Sequence, residues 1–322
     1  MSRFAKLIAL FQNANTILIG SHYNTDSDAI GSLLALGTAL ESLGKKVTLF
    51  SRDGVPNNLR FLHGSKKIAT QLDKTAKYDL VVIVDCAHLQ RVGGDFDRQY
   101  PNTPIVVIDH HRLDEHDGEH FLVDAEAAAT GVLVAELLEA MKIKFTPDIA
   151  EQLFTAIVGD TGSFRYSNTT SAVLCLAAQL VDAGAKPWKV SQEMEENASL
   201  QRYRLLASSL ASLELSPNGQ FAAMSITQAM LQNAAASLED AEEFTVYPRS
   251  IAGVEVSALF KEIADGKVRV SLRSRGKLDV AQLAKRFGGG GHAYAAGCTI
   301  LGSVKEAKMT VQNAVLEALK GS

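Results

Sequence analysis

Hydrophobic residues in the first half of the chain fall into two kinds of segment. Four short runs are rich in Val and Ile and have the continuous apolar character of buried strands: 17–20, 47–50, 80–85 and 105–109. Four longer segments have helical character: 29–43, 130–141, 147–158 and 171–183. Strands that alternate with helices predict an α/β fold, here a doubly wound, mostly parallel sheet covered by helices on both faces.

The pattern changes after Gly184. A polar segment at 186–204 is predicted to be a linker, with a helical structure left open as an option. Beyond it, the pattern predicts three strands and three helices, in the order helix 205–215, strands 220–226, 254–260 and 267–273, and helices 279–287 and 304–319. We therefore expect two domains, an α/β domain at 1–185 and a smaller α+β domain at 205–322, joined by the linker across a cleft.

Composition and charge narrow the choice of partners. The chain has 32 basic and 36 acidic residues, a net charge of −4, which argues against a surface built to bind long duplex nucleic acid. No apolar run is long enough to span a membrane, and the N-terminal apolar stretch is too short for a secretory signal. Three cysteines without a C-x-x-C pair argue against a disulfide scaffold or a structural zinc site. These features predict a cytoplasmic protein.

Acidic residues and histidines collect where the predicted strands of the first domain end. The first strand leads into a loop with the spacing H-x-x-x-D-x-D at His22, Asp26 and Asp28. The third strand ends in Asp85, the fourth runs into 109–111 (Asp-His-His), and Asp160 follows a predicted helix. Ligands of open α/β sheets bind beyond the carboxyl ends of the strands, so we expect these segments to meet in one crevice.

Carboxylates that meet in one crevice need compensating positive charge. Two unit charges ~4 Å apart repel by about 4 kcal/mol at an effective dielectric constant of 20, and the neighbouring sequence has almost no Lys or Arg. A pair of divalent ions supplies that charge, and oxygen and imidazole ligands favour manganese or magnesium. Each acid taken alone is as well explained as a turn or cap residue, and Asp28 by the cap of the following helix. Their concurrence in four segments favours the metal site.

The second domain has two features that suit a phosphate. Arg273 and Arg275 flank Ser274 at the end of a predicted strand, so alternation predicts that both point to the same face. Guanidinium groups bind phosphate oxygens in pairs. Four consecutive glycines, 288–291, precede His292 and would let backbone N–H groups approach an anion. A helix cap is the alternative explanation for the glycines, and a solvated strand end is the alternative for the arginines.

These motifs together resemble the DHH phosphoesterases, a family named for the tripeptide at 109–111. The RSR at 273–275 and GGGGH at 288–292 resemble the C-terminal domain associated with that family. The YPRS at 247–250 resembles its branch of bacterial nanoRNases, or oligoribonucleases. The sequence departs from the family pattern twice, with Thr25 where Pro is usual and Ser27 where Gly is usual. Both departures leave the ligands intact and bear only on the stiffness of the loop.

The resemblance implies roles for individual residues. His22, Asp26 and Asp85 would hold one ion, and the second would be held by Asp28, Asp85, His110 and Asp160. Asp109 would orient a neighbouring histidine, and His111 would face the substrate phosphate. The ions, manganese or alternatively magnesium or cobalt, would lie ~3.5–4 Å apart and activate a water for in-line attack on phosphorus. The implied substrate-binding residues in the second domain are Arg249, Arg273, Ser274, Arg275, Gly289, Gly290, Gly291 and His292.

The resemblance implies hydrolysis of short oligoribonucleotides (nanoRNA) to mononucleotides, with the nucleotide bisphosphate 3′-phosphoadenosine 5′-phosphate as a further substrate. The same residues suit a phosphodiesterase for cyclic or linear dinucleotides, a pyrophosphatase or polyphosphatase, or a nucleotide-binding regulator without catalysis. The lysine-rich signature of the pyrophosphatase branch is absent, and every candidate ligand is present. No membrane partner is expected, and a homodimer is expected only because such assemblies are frequent.

Overall fold

The protein is described here by a computed structural model that covers residues 3–73, 75–86, 88–93, 99–100, 102–111, 120–241, 244–263 and 266–320. The chain divides into two compact units, Met1–Asn197 and Ala198–Ser322. Within the covered residues, no helix combines the length and the apolar character that a membrane span requires.

The first unit is built on a parallel sheet of five strands. These are β1 (Thr16–Gly20), β2 (Lys46–Phe50), β3 (Leu80–Val84), β4 (Ile105–Asp109) and β5 (His120–Val123). Their order is β2-β1-β3-β4-β5, and every neighbouring pair is parallel. The prediction of a parallel α/β sheet is confirmed. The edge strand β5 was missed because only one of its four residues is fully buried, so it leaves no apolar run.

Among the residues that the structure describes, the α-helices of this unit all pack into one core on the sheet. They are α1 (Ala5–Asn13), α2 (Ser27–Ser42), α3 (Thr130–Ala140), α4 (Pro147–Asp160), α5 (Ser171–Asp182) and α6 (Pro187–Glu195). Ile17 and Ile19 of β1 are buried in a large core with α2 and α4, whereas Leu18 belongs to a separate core with Val81 and Val107. Alternate residues of a buried strand thus face two different cores, as a doubly wound sheet requires.

The segment predicted as a linker, 186–204, holds helices, an option that its sequence left open. Pro187–Glu195 (α6) lies in the first unit, where Val190 is fully buried in the main core. The second unit begins with α7 (Leu200–Leu210), which starts and ends five residues before the predicted helix 205–215. The polar composition of both helices concealed the few residues by which they pack.

The second unit has a mixed sheet of six strands. They are β6 (Glu214–Leu215), β7 (Phe221–Ile226), β8 (Val256–Ile263), β9 (Lys267–Ser274), β10 (Gly290–His292) and β11 (Ala295–Leu301), in the order β10-β11-β9-β8-β7-β6. All neighbours are antiparallel except β7 and β8. The helices α8 (Gln228–Ala234), α9 (Val246–Ser250), α10 (Val280–Lys285) and α11 (Val304–Lys320) complete the unit. The predicted α+β class is confirmed.

Candidate active site

The loop after β1 carries two of the acids, and backbone donors fix both. Asp26 caps α2: its Oδ1 accepts a hydrogen bond from a first-turn N–H at 3.0 Å, while its Oδ2 lies 3.9 Å from Nε2 of His22. Asp28 is fully buried in the same turn. Its two oxygens accept hydrogen bonds from the N–H groups of Thr130 at 2.6 Å and Gly131 at 2.9 Å, at the start of α3. Both carboxylates are therefore held in place by the fold itself.

Asp85 lies between the two histidines that the sequence singled out. It follows β3 with a φ of +56°, a left-handed backbone conformation that is uncommon for a residue with a side chain. Its Oδ1 accepts a hydrogen bond from the hydroxyl of Thr130 at 3.0 Å and lies 3.7 Å from Nε2 of His110. Its Oδ2 lies 3.3 Å from Nε2 of His22. Each oxygen of this one carboxylate thus faces a different histidine.

His22 and His110 are oriented in the same way. Nδ1 of His22 donates to the carbonyl of the next residue at 2.8 Å, and Nδ1 of His110 donates to the carbonyl of Ala127 at 3.2 Å. The Nε2 atom of His110 lies 3.0 Å from Asp160 and 3.6 Å from Asp28. A backbone acceptor on Nδ1 selects the neutral tautomer whose Nε2 is available to a metal.

The side chains form three groups whose ligand atoms all lie within 4.8 Å of one another: His22 with Asp26 and Asp85, Asp28 with His110 and Asp160, and Asp85 with His110 and His111. The six predicted ligands fall into the first two groups, and Asp85 also contacts the second. The structure therefore brings together residues from four separate segments: the loop from β1 to α2 and the ends of β3, β4 and α4.

Asp109 and His111 form a pair at the edge of this cluster. Nδ1 of His111 donates to Oδ1 of Asp109 at 2.7 Å, and the backbone N–H of His111 donates to the same oxygen at 3.1 Å. Burial alone would raise the pKa of the Asp109 carboxyl, but the hydrogen bonds and charge of His111 outweigh it and lower that pKa. Asp109 is thus an ionised group that fixes the ring of His111.

The remaining carboxylates repel one another strongly. Burial first, and then the charge of Asp160, raise the pKa of Asp28 to about 8. Burial and the neighbouring carboxylates, Asp28 foremost, raise the pKa of Asp85 well above its usual range. Among the residues that the structure describes, no Lys or Arg forms an ion pair with Asp26, Asp28, Asp85 or Asp160. A bound cation would remove this repulsion.

The donor set fits divalent cations. It consists of carboxylate oxygens and two imidazole nitrogens that are already aimed inward, without a thiolate, and this chemistry suits manganese or magnesium. The neighbouring Cys86 is buried, and its Sγ donates to the carbonyl of His88 at 3.2 Å. His22, Asp26 and Asp85 would hold one ion, and Asp28, Asp85, His110 and Asp160 would hold another.

We expect the metal-free protein to lose stability as the pH rises from about 4 to about 9. The pKa of Asp28 rises from 3.8 to about 8; that of His110, which burial would lower, rises from 6.5 to about 9 through its hydrogen bond with Asp160 and the charge of Asp28. In both cases the folded state holds the proton more tightly than the unfolded chain, so this stability is present at low pH and is lost as pH rises through the folded pKa.

Melting temperatures in the presence of a chelator at about pH 6 and about pH 9 test this expectation. Manganese competes with protons for the same groups, so it should raise the melting temperature more at the higher pH. An equal melting temperature of the metal-free protein at the two pH values would contradict the assignment of the raised pKa values.

The sequence did not single out Thr130 and Gly131, although they contact two of the acids. Their N–H groups hold Asp28, and the hydroxyl of Thr130 holds Asp85. The signal available in the sequence is the Thr-Gly pair at the start of a predicted helix, where N–H groups lack partners within the helix and attract carboxylates. Nothing in the sequence indicates which carboxylate they meet.

Both departures from the family pattern have a structural counterpart. The hydroxyl of Thr25 lies 2.6 Å from the hydroxyl of Ser51 and 3.2 Å from the carbonyl of His22, and both hydroxyl side chains are buried. A side-chain hydrogen bond therefore restrains the loop at the position where a proline ring is usual. Ser27 packs directly against Gly159, the residue before Asp160, and the missing side chain there makes room for the serine.

We expect Gly159→Ala to destabilise the protein by about 1–3 kcal/mol and to weaken metal binding, because an added Cβ would lie 1.7 Å from Oγ and 2.9 Å from Cβ of Ser27. The strain would shift the neighbouring Asp28 and Asp160. The double variant Ser27→Gly with Gly159→Ala removes the clash and should recover most of the loss. Thermal unfolding and calorimetric titration with manganese measure both effects; a double variant no better than Gly159→Ala would contradict this packing.

In the second unit, Arg273 and His292 lie side by side across one strand. The register pairs Ala295 of β11 with His292 of β10 on one side and with Arg273 of β9 on the other. Residues paired in this way share a face of the sheet, so the two side chains lie about 10 Å apart across two interstrand spacings. Arg273 is half-buried and His292 is exposed. Their placement on one face of the sheet suits the binding of a phosphate.

Arg273, Ser274 and Arg275 each make hydrogen bonds, and Arg273 donates to the carbonyl of Leu272 at 2.9 Å. The hydroxyl of Ser274 accepts a hydrogen bond from the N–H of Gly276 at 3.0 Å. The guanidinium of Arg275 donates to the carbonyl of Arg249 at 2.9 Å and that of Ile251 at 3.4 Å. The prediction that Arg275 shares a strand face with Arg273 is wrong, because β9 ends at Ser274. Arg275 instead holds the end of α9.

The four consecutive glycines do not form the predicted open loop. The N–H groups of Gly288 and Gly289 donate to carbonyls in the last turn of α10 at 3.1 and 2.9 Å, so they cap the helix and the anion explanation is wrong for these two. Gly289 is needed because a Cβ there would lie 2.1 Å from the carbonyl oxygen of Gly297. Gly290 and Gly291 belong to the edge strand β10, and their contact with an anion stays a prediction.

Known proteins match both units of the chain. The DHH family, N-terminal domain, matches residues 16–157, and the DHHA1 domain matches residues 219–321. The chain is 33% identical over 305 residues to the bifunctional oligoribonuclease and PAP phosphatase NrnA of Thermus thermophilus, covering 94% of this chain and 90% of that protein. It is 30% identical over 304 residues to the probable bifunctional oligoribonuclease and PAP phosphatase NrnA of Streptococcus mutans, covering 92% and 93%.

A solved structure has the same fold. The exopolyphosphatase-related protein of Bacteroides fragilis superposes with a TM-score of 0.92 at 26% identity, covering 99% of this chain and 96% of that chain. The similarity thus extends over the whole chain and includes both units.

Proposed function

The chain belongs to the DHH family, and from that premise we propose that it is a divalent-metal phosphoesterase that hydrolyses short oligoribonucleotides to mononucleotides and 3′-phosphoadenosine 5′-phosphate to AMP. The observation that carries the proposal is the convergence of the Nε2 atoms of His22 and His110 on four carboxylates that no described Lys or Arg neutralises. The similarity to the Thermus thermophilus protein, along 90% of its length, supports the choice of substrates.

Different residues of the chain would have different roles in such a reaction. Divalent ions held by the six ligands would supply Lewis acidity, which makes a water nucleophilic and neutralises charge on the departing oxygen. Thr130 keeps Asp85 and Asp28 in position through its hydroxyl and N–H. Asp109 orients His111, whose ring lies next to the cluster and would donate to a phosphate oxygen of the substrate.

The second unit would hold the substrate by a phosphate through Arg273 and His292. An anchor of this kind favours short substrates, because the end of the substrate has to reach it. The net charge of −4 agrees with this preference, since a nuclease for long single strands needs a basic groove with stacking aromatic residues.

A substrate panel tests the proposed function. Purified protein is incubated with manganese and, separately, with a dinucleotide, a pentanucleotide, 3′-phosphoadenosine 5′-phosphate, cyclic di-AMP and pyrophosphate. We expect mononucleotides from both oligonucleotides and AMP from the bisphosphate, with all turnover lost when a chelator is added. Preferential turnover of cyclic di-AMP or pyrophosphate, or nucleotide binding without turnover, would contradict the proposal. Magnesium and cobalt in place of manganese identify the preferred ion.

A further inference from the structure

One face of the second sheet carries polar side chains that the core does not use. On β9, Val268, Val270 and Leu272 are buried against α10 and α11. Because side chains alternate along a strand, Arg269 and Ser271 project from the opposite face, on the same side as Arg273. The register places Lys261 of β8 and Thr299 of β11 directly across from Arg269, so these three form one row.

A pocket of about 350 Å³ opens beside this row. Arg269, Ser271 and Thr299 supply polar side chains to its lining, and Gly288, Gly289 and Gly297 supply stretches without side chains. Its volume is at the lower end of the range for small-molecule sites, ~300–1,000 Å³. Val270 and Cys298 complete the lining, and at Gly288 nothing lies within 4 Å of an added Cβ, so a ligand can approach the backbone there.

The polar groups of the pocket are available to a ligand. Arg269 is exposed, and across the residues described in the structure its guanidinium has neither an ion-pair partner nor a side-chain hydrogen bond. The hydroxyls of Ser271 and Thr299 likewise make no hydrogen bond within the described parts of the chain. The row contains no carboxylate. A guanidinium beside two hydroxyls is a set of groups that binds phosphate oxygens.

The pocket is separate from the phosphate anchor at Arg273. Arg273 lies four positions after Arg269 on the same strand, a distance of ~13 Å at ~3.3 Å per residue. The two arginines are therefore far enough apart to contact different phosphates of one oligonucleotide. In a dinucleotide the anchor and the reacting centre already account for the phosphates, whereas longer oligonucleotides have others.

We propose that the pocket beside Arg269 binds a further phosphate of oligonucleotides longer than two residues. This inference rests on the proposed function, because it extends the substrate site of the same enzyme. It explains how an enzyme with a single anchor could still distinguish a pentanucleotide from a dinucleotide. Contacts with Arg269, Ser271 and Thr299 would then determine how hydrolysis depends on substrate length.

The test compares substrates of different length with Arg269→Ala. We expect the variant to raise KM for a pentanucleotide about 10-fold, as the loss of one charge-assisted contact does, with kcat unchanged. Hydrolysis of a dinucleotide and of 3′-phosphoadenosine 5′-phosphate should stay within about 2-fold of wild type. The slope of log kcat/KM against log salt concentration for the pentanucleotide should fall in magnitude by about 0.7, the value for one phosphate contact to a single strand.

Arg204→Ala is the matched control, because it removes an exposed arginine from α7 of the same unit. It should leave all three substrates unaffected, and Arg269→Lys should recover part of the pentanucleotide KM. An equal effect of Arg269→Ala on all lengths, or no effect on any, would overturn the inference. Failure of the wild-type protein to hydrolyse any of the three would instead overturn the proposed function.

Discussion

Asp85→Asn is expected to reduce kcat on every substrate by more than the ~10–100-fold that follows the loss of a group which only orients a ligand. The physical reason is the position of this carboxylate: Oδ2 faces His22 at 3.3 Å and Oδ1 faces His110 at 3.7 Å, so one side chain belongs to both ligand groups. Its removal should lower the affinity for both ions, which calorimetric titration with manganese measures directly.

Stability distinguishes a ligand from a purely structural residue at this position. Burial and the neighbouring carboxylates raise the pKa of Asp85, which means that the metal-free fold disfavours its charged form. Without metal, Asp85→Asn should therefore melt no lower than wild type, because the amide oxygen can still accept the hydrogen bond from Thr130. With manganese, it should lose most of the stabilisation that wild type gains.

Asp53→Asn is a suitable control for Asp85→Asn. Asp53 accepts a hydrogen bond from the N–H of Asn24 in the same loop as His22, but it belongs to none of the three ligand groups. We expect this control to retain two bound ions and to lose less than about 10-fold in kcat. Full activity of Asp85→Asn, or loss of one ion with undiminished affinity for the other, would contradict the assignment of Asp85 to both ligand groups.

Arg273→Ala is expected to raise KM by about 10- to 100-fold for substrates with a terminal phosphate, while kcat and metal occupancy change little. This range corresponds to the ~1.5–3 kcal/mol of a hydrogen bond to a charged group. The arginine lies in the second unit, in one row with His292, and the metal ligands all lie in the first. Steady-state kinetics on matched substrates with and without the terminal phosphate separate its contribution.

Arg275→Ala provides the comparison for Arg273→Ala two positions away. The guanidinium of Arg275 donates hydrogen bonds to the carbonyls of Arg249 and Ile251. Its loss should therefore lower the melting temperature and have only a small effect on KM. An equal rise in KM on phosphate-free substrates after Arg273→Ala would show that this arginine does not bind the terminal phosphate.

The acids of the site were predictable because strand ends are visible in the sequence. The apolar runs before Asp85 and Asp109 identify two buried strands, and parallel strands bring their carboxyl ends to the same edge of the sheet. The chemistry of the residue types then supplies the rest, since clustered carboxylates and histidines need positive charge.

Contacts between distant segments were not predictable from local pattern. Thr130 holds Asp28 across 102 positions of the chain, and no periodicity relates a helix start to a particular carboxylate. The packing of Ser27 against Gly159 depends on how closely α2 and α4 approach, which only the folded chain determines.

Composition alone did not determine the structure of the four glycines or of the linker segment. Two of the four consecutive glycines cap α10 and pass close to β11, a use of glycine that looks the same in sequence as an anion-binding loop. The polar segment at 186–204 forms helices because a few buried residues such as Val190 suffice to attach a helix to a core.

The most direct test is anomalous scattering at the manganese edge from crystals of this protein grown with excess manganese. We expect two peaks per chain, one in contact with His22, Asp26 and Asp85 and the other with Asp28, Asp85, His110 and Asp160. A single peak, peaks bound elsewhere, or no peak among these six side chains would contradict this expectation.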